Sequence, residues 1–415
     1  MPSPVEILQQ PVVLPFSGKT ASNRFMKAAM SERLATYFTS DPLDRGKPTD
    51  ALIKVYEQWG KGGYGIILSG NLIVDKGHLE GEGNIIIDRT LPSSYLEEYK
   101  EMARVAKAHG SLFLAQLSHG GRQTADRILP HPLGPSDIQL APSQIATYGK
   151  PTPLTKEGIK NVVSQFAYAA GVVHEAGFDG IQTHAAHGYL LAQFLSPRVN
   201  NRTDEYGGSL ENRSRILLEI IAAIKERVND PSFIISVKLN SQDFLDGGFS
   251  EDDSISLSVA LQKAGVDLIE ISGGSIENPS FEHKRESTKR REAFFVEFAE
   301  KLRPHITTSL LAVTGGFRSA AKMAEAVTEG WTNVIGIGRP LTFEPLLGSE
   351  IISGEKTGAS DSTAQLPMLY SVFASVLQIA DLSKGVPPTD YSKEENLAAL
   401  KALLQSYGGT SSEKS

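Results

Sequence analysis

Short apolar runs recur along this chain, each followed by a longer stretch in which apolar residues return every three or four positions. The runs lie at 23–30, 65–70, 112–117, 178–183, 233–239, 268–272, 310–314 and 334–338. Most are nearly continuous in apolar residues, as in Ile66-Ile67-Leu68 or Leu268-Ile269-Glu270-Ile271, which is the pattern of a strand covered on both faces. The stretches between them predict helices over 50–60, 95–109, 155–176, 210–228, 250–264, 291–302 and 319–329. In the first, Ile53, Tyr56 and Trp59 fall on one face and Gly62 and Gly63 end it; Gly110, Gly177, Pro231, Gly265, Pro304 and Gly330 end or follow the others. Eight strand-then-helix units in series predict an α/β fold, a closed (β/α)8 TIM barrel. An open doubly wound sheet rarely carries eight such regular units.

The barrel is expected over residues 1–350, including an outer helix after Pro345. Residues 351–415 then form a helical extension with helices at 366–382 and 394–407 and a flexible tip, too short to bury much core alone. Composition narrows the function classes. Of the 415 residues 40% are hydrophobic and 21% charged, the formal net charge is −7, and the mean hydropathy is −0.17. Such a chain has no basic footprint for nucleic acid or an anionic membrane. With no Cys, disulfides, thiolate-bound clusters and a cysteine nucleophile are excluded, and a reducing compartment fits. No signal peptide, membrane span or C-terminal targeting signal is legible, so a cytoplasmic location is expected.

In such a barrel, chemistry sits at the C-terminal ends of the strands. The richest end is Thr183-His184-Ala185-Ala186-His187-Gly188-Tyr189. Two imidazoles and a phenol so close together can grip an oxygen and deliver a proton. The same His-x-x-His could be half of a zinc site or a structural turn, but zinc needs three or four ligands, and neither Cys nor a further ligand follows at metal-site spacing. After the seventh and eighth strands stand Gly315-Gly316 and Gly338-Arg339. Glycine backbones that approach closely, a following helix N-terminus and a guanidinium make a phosphate cradle. Ala29-Met30-Ser31, Ser69-Gly70-Asn71, Gln116 and Lys238 end other strands. Gln116, as donor and acceptor, and Lys238, as a cation, can bind the edge of a flat heteroaromatic ring.

Together these residues resemble the Old Yellow Enzyme family of FMN-dependent oxidoreductases. The resemblance rests on 116–123 (QLSHGGRQ), on 184–197 with Asn200, on 202–213 (RTDEYGGSLENR) and on 336–340 (GIGRP), and it runs in order from about Asn23 to Leu347. It implies non-covalent FMN, with Ala29 and Ser31 near the central ring, Gly70 and Gln116 along the pyrimidine edge, and Lys238 near N1. Gly315, Gly316, Gly338 and Arg339 would hold the phosphate. His184 and His187 would grip a substrate carbonyl oxygen, and Tyr189 would be the proton donor. The implied reaction is reduction of an enone-type C=C bond with NADPH or NADH by a ping-pong mechanism, in a monomer or homodimer.

Two departures from the family pattern bear on the flavin. Ala-Met-Ser ends the first strand where Pro-Met-Thr or Pro-Met-Cys is more usual, and Lys238 stands where many relatives carry Arg; both should retune the flavin rather than abolish its binding. The alternatives are a desaturating or isomerising redox step, a barrel using Lys238 as a Schiff-base nucleophile, and a flavin or ligand binder without catalysis.

Overall fold

The computed structural model describes residues 2–91, 95–143, 146–277, 295–360, 362 and 366–409. Its centre is a closed barrel of eight parallel strands: β1 (Phe25–Lys27), β2 (Ile66–Ile73), β3 (Leu112–Ser118), β4 (Gly180–Ala185), β5 (Ile234–Asn240), β6 (Leu268–Ser272), β7 (Leu310–Thr314) and β8 (Val334–Ile337). Each strand pairs with its neighbours in sequence, and β8 closes onto β1 through Gly336 opposite Met26. All eight expected strands are present. Their ends differ where the ladder, not the local pattern, decides: β1 keeps only three residues, and β4 runs on so that His184 lies within the sheet, opposite Lys238.

Because β-strand side chains alternate, Met26, Ile66, Leu68, Leu114, Ile234, Leu268, Ala312 and Val334 fill the lower barrel interior. An antiparallel ribbon, Val12–Val13 with Thr20–Ala21, packs Val12, Leu14 and Ala21 under them, and Asp267 accepts from the Phe16 and Ser17 amides to hold it. The opposite set, including Phe25, Ile67, Phe113, Ile181, Val237, Ile269, Val313 and Ile335, meets the surrounding helices. Helices stand at Asp50–Gly60, Leu96–Lys107, Lys156–Glu175, Leu210–Val228, Glu251–Lys263 and Ala320–Thr328, close to their expected spans. Five of these, with N-caps Thr49, Thr155, Ser209, Ser250 and Ser319, begin on a side-chain oxygen accepting from a first-turn amide. Of the helix expected over 291–302, Val296–Leu302 is described and 291–294 lie outside the described residues.

After β8 come two short helices, Pro340–Phe343 and Leu347–Ile352, then Met368–Lys384 and Glu394–Gly409. Met368–Lys384 packs on Asp50–Gly60 and Pro340–Phe343. The Gly- and Ser-rich connection is tied to the barrel: Ala359 N–H donates to the Arg318 carbonyl and Ala320 N–H to that of Thr357. The tip at 410–415 lies outside the described residues. No helix among the described residues is long and apolar enough to cross a membrane.

Lys27 is the least expected core residue. Its side chain leaves β1 on the helix side, donates to the Leu68 carbonyl at 2.8 Å and lies 4.0 Å from the Trp59 ring centre. Burial pushes its ammonium down from 10.5 to about 8, against the pull of Glu32 and Glu270. The unfolded chain therefore holds this proton more tightly. The resulting cost to folding is full below pH 8 and vanishes as pH rises towards 10.5, a change on the order of 3 kcal/mol. Urea unfolding at the two ends of that range should show wild type gaining stability relative to Lys27→Met; parallel profiles would mean that the folded and unfolded chains hold this proton equally.

Candidate active site

The bulge in β2 sets the upper barrel. Leu68 stands opposite Leu114 but Asn71 opposite Gln116, so one extra residue of β2 is accommodated at Ser69–Gly70. There the Gly70 amide turns towards β1 and donates to Glu32 Oε1 at 2.8 Å, with the Tyr56 hydroxyl at 3.0 Å and itself bonded to Glu32. A Cβ on Gly70 would stand 2.1 Å from Glu32 Oε2 and 2.4 Å from the Met30 carbonyl. Gly70 thus contributes close approach at the mouth, its N–H being already committed. Ala29 and Ser31 are partly exposed at the end of β1, and Asn71 Nδ2 lies 3.4 Å from Ser31 Oγ.

Below the mouth a buried polar network crosses four strands. Gln116 Nε2 donates to Gln182 Oε1 at 2.7 Å, and Gln182 Nε2 donates to Glu270 Oε2 at 2.8 Å. Glu270 Oε1 lies 3.1 Å from Lys238 Nζ. Gln116 is 2% exposed, Lys238 5% and Glu270 0%. Low dielectric strengthens such a network and makes a missing member costly. Gln182 and Glu270 were not singled out from the sequence; a polar residue at an inward position inside an apolar strand was the available signal.

His184, His187 and Tyr189 converge beside it. The His184 and His187 ring centres are 5.2 Å apart at 74°, and those of His184 and Tyr189 are 4.8 Å apart at 77°. His184 Nδ1 accepts from the Ala186 amide at 3.3 Å, which leaves the proton on Nε2. His187 adopts φ 59°, a left-handed conformation rare for such a residue. It is held by Asn240 Oδ1, which accepts from its amide at 3.1 Å, and by a 2.7 Å bond between Nε2 and Ser272 Oγ. Burial, then Lys238 among other charges, holds both imidazoles well below their ordinary range, so both are neutral at physiological pH. Burial, reinforced by Glu80, raises the Tyr189 phenol well above 10 and keeps it protonated.

The loop carrying this set is braced from below. Gln193, in the helix Leu190–Leu195, donates to the Gly188 and Gly120 carbonyls and accepts from the Arg122 amide. Asn200 donates to the Phe194 and Tyr206 carbonyls. Apart from Gln116, the segment 116–123 and the stretch around Asn200 and Arg213 brace this loop, with Arg213 bonded to the Gly208 and Leu195 carbonyls. The structure also assembles Asp75, His78 and His119. His78 spends Nδ1 on Asp75 and Nε2 on the Leu133 amide, while His119 stacks on His78 at 4.2 Å, accepts from the Gly121 amide at Nδ1 and keeps a buried Nε2 without a partner.

On the other side of the mouth, Gly315 and Gly316 follow β7 with φ 105° and 93°, values that only glycine adopts without strain. Gly338 and Arg339 follow the adjacent β8. The Gly315, Gly316 and Gly338 amides carry no hydrogen bond to the described chain, and Thr314 Oγ1 and Asn71 Oδ1 are buried without a partner. Free amides followed in the chain by an arginine suit a phosphate, while unpartnered acceptors suit ring N–H or hydroxyl donors. These residues fit FMN.

Residues 10–357 match the model of the NADH:flavin oxidoreductase / NADH oxidase family. The chain belongs to this family. It is 39% identical over 98% of its length to an NADH-dependent flavin oxidoreductase of Aspergillus parasiticus, covering 91% of that protein. It is 34% identical over 85% of its length to another NADH-dependent flavin oxidoreductase, from Hypocrea jecorina, covering 90% of it. The structure of an old yellow enzyme homologue from Zymomonas mobilis superposes with TM-score 0.70 at 22% identity, over 85% of this chain and 94% of that one. The chain is therefore an Old Yellow Enzyme-type flavin oxidoreductase on a TIM barrel, with FMN as cofactor and a nicotinamide reductant.

Proposed function

We propose that this flavin oxidoreductase reduces the C=C bond of α,β-unsaturated carbonyl compounds by a ping-pong scheme in which NADH and the acceptor take turns in the barrel mouth. The observation that carries the reading is the group of two neutral imidazoles and one protonated phenol, with ring centres 4.8–5.2 Å apart. When bound, FMN supplies hydride transfer. His184 donates from Nε2 to the acceptor's carbonyl oxygen, and His187, fixed by Asn240 and Ser272, stands as the second polar group. Tyr189 delivers a proton to the α-carbon. Ala29, Ser31, Gly70, Gln116 and Lys238 form the ring-binding wall, with Glu270 holding the Lys238 cation in place. Gly315, Gly316, Gly338 and Arg339 bind the phosphate.

NADH is favoured over NADPH because two relatives covered almost end to end are named NADH-dependent. The Schiff-base alternative is weakened by the Lys238–Glu270 pair, since an amine held in an ion pair is not the free nucleophile that reaction needs. The reading includes a reducing cytoplasm and a monomer or homodimer.

Anaerobic spectra test the proposal directly. The purified protein should be yellow and release FMN on heating; NADH should bleach the flavin band faster than NADPH, and cyclohexenone should restore it. A flavin that NADH leaves oxidised would make the chain a binder, and a bleached flavin that no enone restores would shift the reaction towards desaturation or another acceptor.

A further inference from the structure

The phosphate side of the mouth is not supported by the barrel alone. Arg339 Nη1 donates to Ser371 Oγ at 2.8 Å, and Ser371, 1% exposed, belongs to the helix Met368–Lys384 of the C-terminal extension. Two turns along the same face, Gln378, 0% exposed, places Oε1 2.6 Å from the Thr342 hydroxyl, which is also 2.8 Å from the Arg339 carbonyl. Gln378 is fixed in turn, its Nε2 donating to the Thr389 carbonyl at 2.9 Å. The Ser375 hydroxyl donates to the Ser371 carbonyl at 2.9 Å. The extension thus holds the Arg339 side chain directly through Ser371 and reaches its turn only through Thr342, and a helix whose only task was to cover apolar surface would need neither contact.

We infer that the C-terminal extension completes the cofactor site, with Ser371 as a positioning residue that orients the Arg339 guanidinium towards the FMN phosphate and Gln378 as a strut for the turn that carries it. The inference rests on the phosphate role proposed for Arg339. A long side chain free to rotate loses entropy on binding an anion, whereas one held by an acceptor is already oriented. Ser371 presents its oxygen to one guanidinium nitrogen, Nη1, which fixes the direction of the whole planar group.

The test compares FMN with riboflavin, which shares the ring and lacks the phosphate, by titrating flavin-stripped full-length protein and following flavin fluorescence. Ser371→Ala should weaken FMN about tenfold, the worth of one hydrogen bond to a charged group, and leave riboflavin unchanged; Ser371→Thr should restore FMN. Equal weakening of both ligands, or of neither, would overturn the inference and make the contact mere packing. Arg339→Ala separates the two layers of the argument. If it lowers the FMN-to-riboflavin preference while Ser371→Ala does not, only the role of Ser371 falls; if it leaves the preference intact, the phosphate reading and this inference fall together. Should Ser371→Ala fail to fold, Gln378→Ala reads the same strut, with a smaller loss of the same preference expected and no loss counting against it.

Discussion

Tyr189→Phe is expected to slow the half-reaction with a simple enone by roughly 10²–10⁴, the usual worth of a general acid, while flavin bleaching by NADH hardly changes. The substitution keeps the ring that packs edge-on against His184 at 4.8 Å and removes only the hydroxyl that burial keeps protonated. The loss should shrink for a nitroalkene, whose anionic product can leave the site and take its proton from water. Since the phenol lies well above its ordinary value, the wild-type rate of proton delivery should not fall off between pH 6 and about 9 through loss of this acid. Stopped-flow measurement of each half-reaction separates the outcomes. Equal slowing of both would indicate a packing defect, and no slowing with cyclohexenone would assign the proton to another group.

His184→Ala should slow enone reduction on the order of 10²-fold, as expected for removing one preorganised donor to a developing oxyanion. It should weaken phenolic ligands and leave FMN bound. The reasoning is positional: His184 stands with His187 and Tyr189, whereas the free amides and the guanidinium proposed for the phosphate follow β7 and β8. Neutrality matters to the size of the effect. Two cations beside Lys238 would repel one another, and the downward shift of both imidazoles avoids this while each ring keeps one N–H donor. Wholesale loss of flavin in the variant would make the histidines structural.

The barrel was legible because its determinants are local. Nearly continuous apolar runs, helical spacing and glycine or proline stops each act within a few residues, and eight repeats of the same unit admit few closed arrangements. The positions of Gly315, Gly316, Gly338 and Arg339 could be read for the same reason: the residues just after a strand are at the mouth whatever else the fold does. Even the neighbourhood of His184, His187 and Tyr189 follows from their closeness in sequence.

What the tertiary structure alone decided is which groups pair across the barrel. The bulge at Ser69–Gly70 turns the Gly70 amide to Glu32, a partner 38 positions away, so this glycine offers a ring its close approach and not its N–H. Gln182 and Glu270 sit in ordinary apolar runs, and only the register that places Lys238 opposite both His184 and Glu270 joins them to the mouth. Lys27, in a run that reads as apolar, became a buried cation because helix Asp50–Gly60 brought Tyr56 and Trp59 over it. The extension looked like an appendage because nothing in its own periodicity points to Arg339, 32 positions before Ser371. Periodicity reports which face of an element is buried. It carries no information on which distant polar atom that face will meet, and hydrogen bonds, being short and directional, are settled only when the chain has closed.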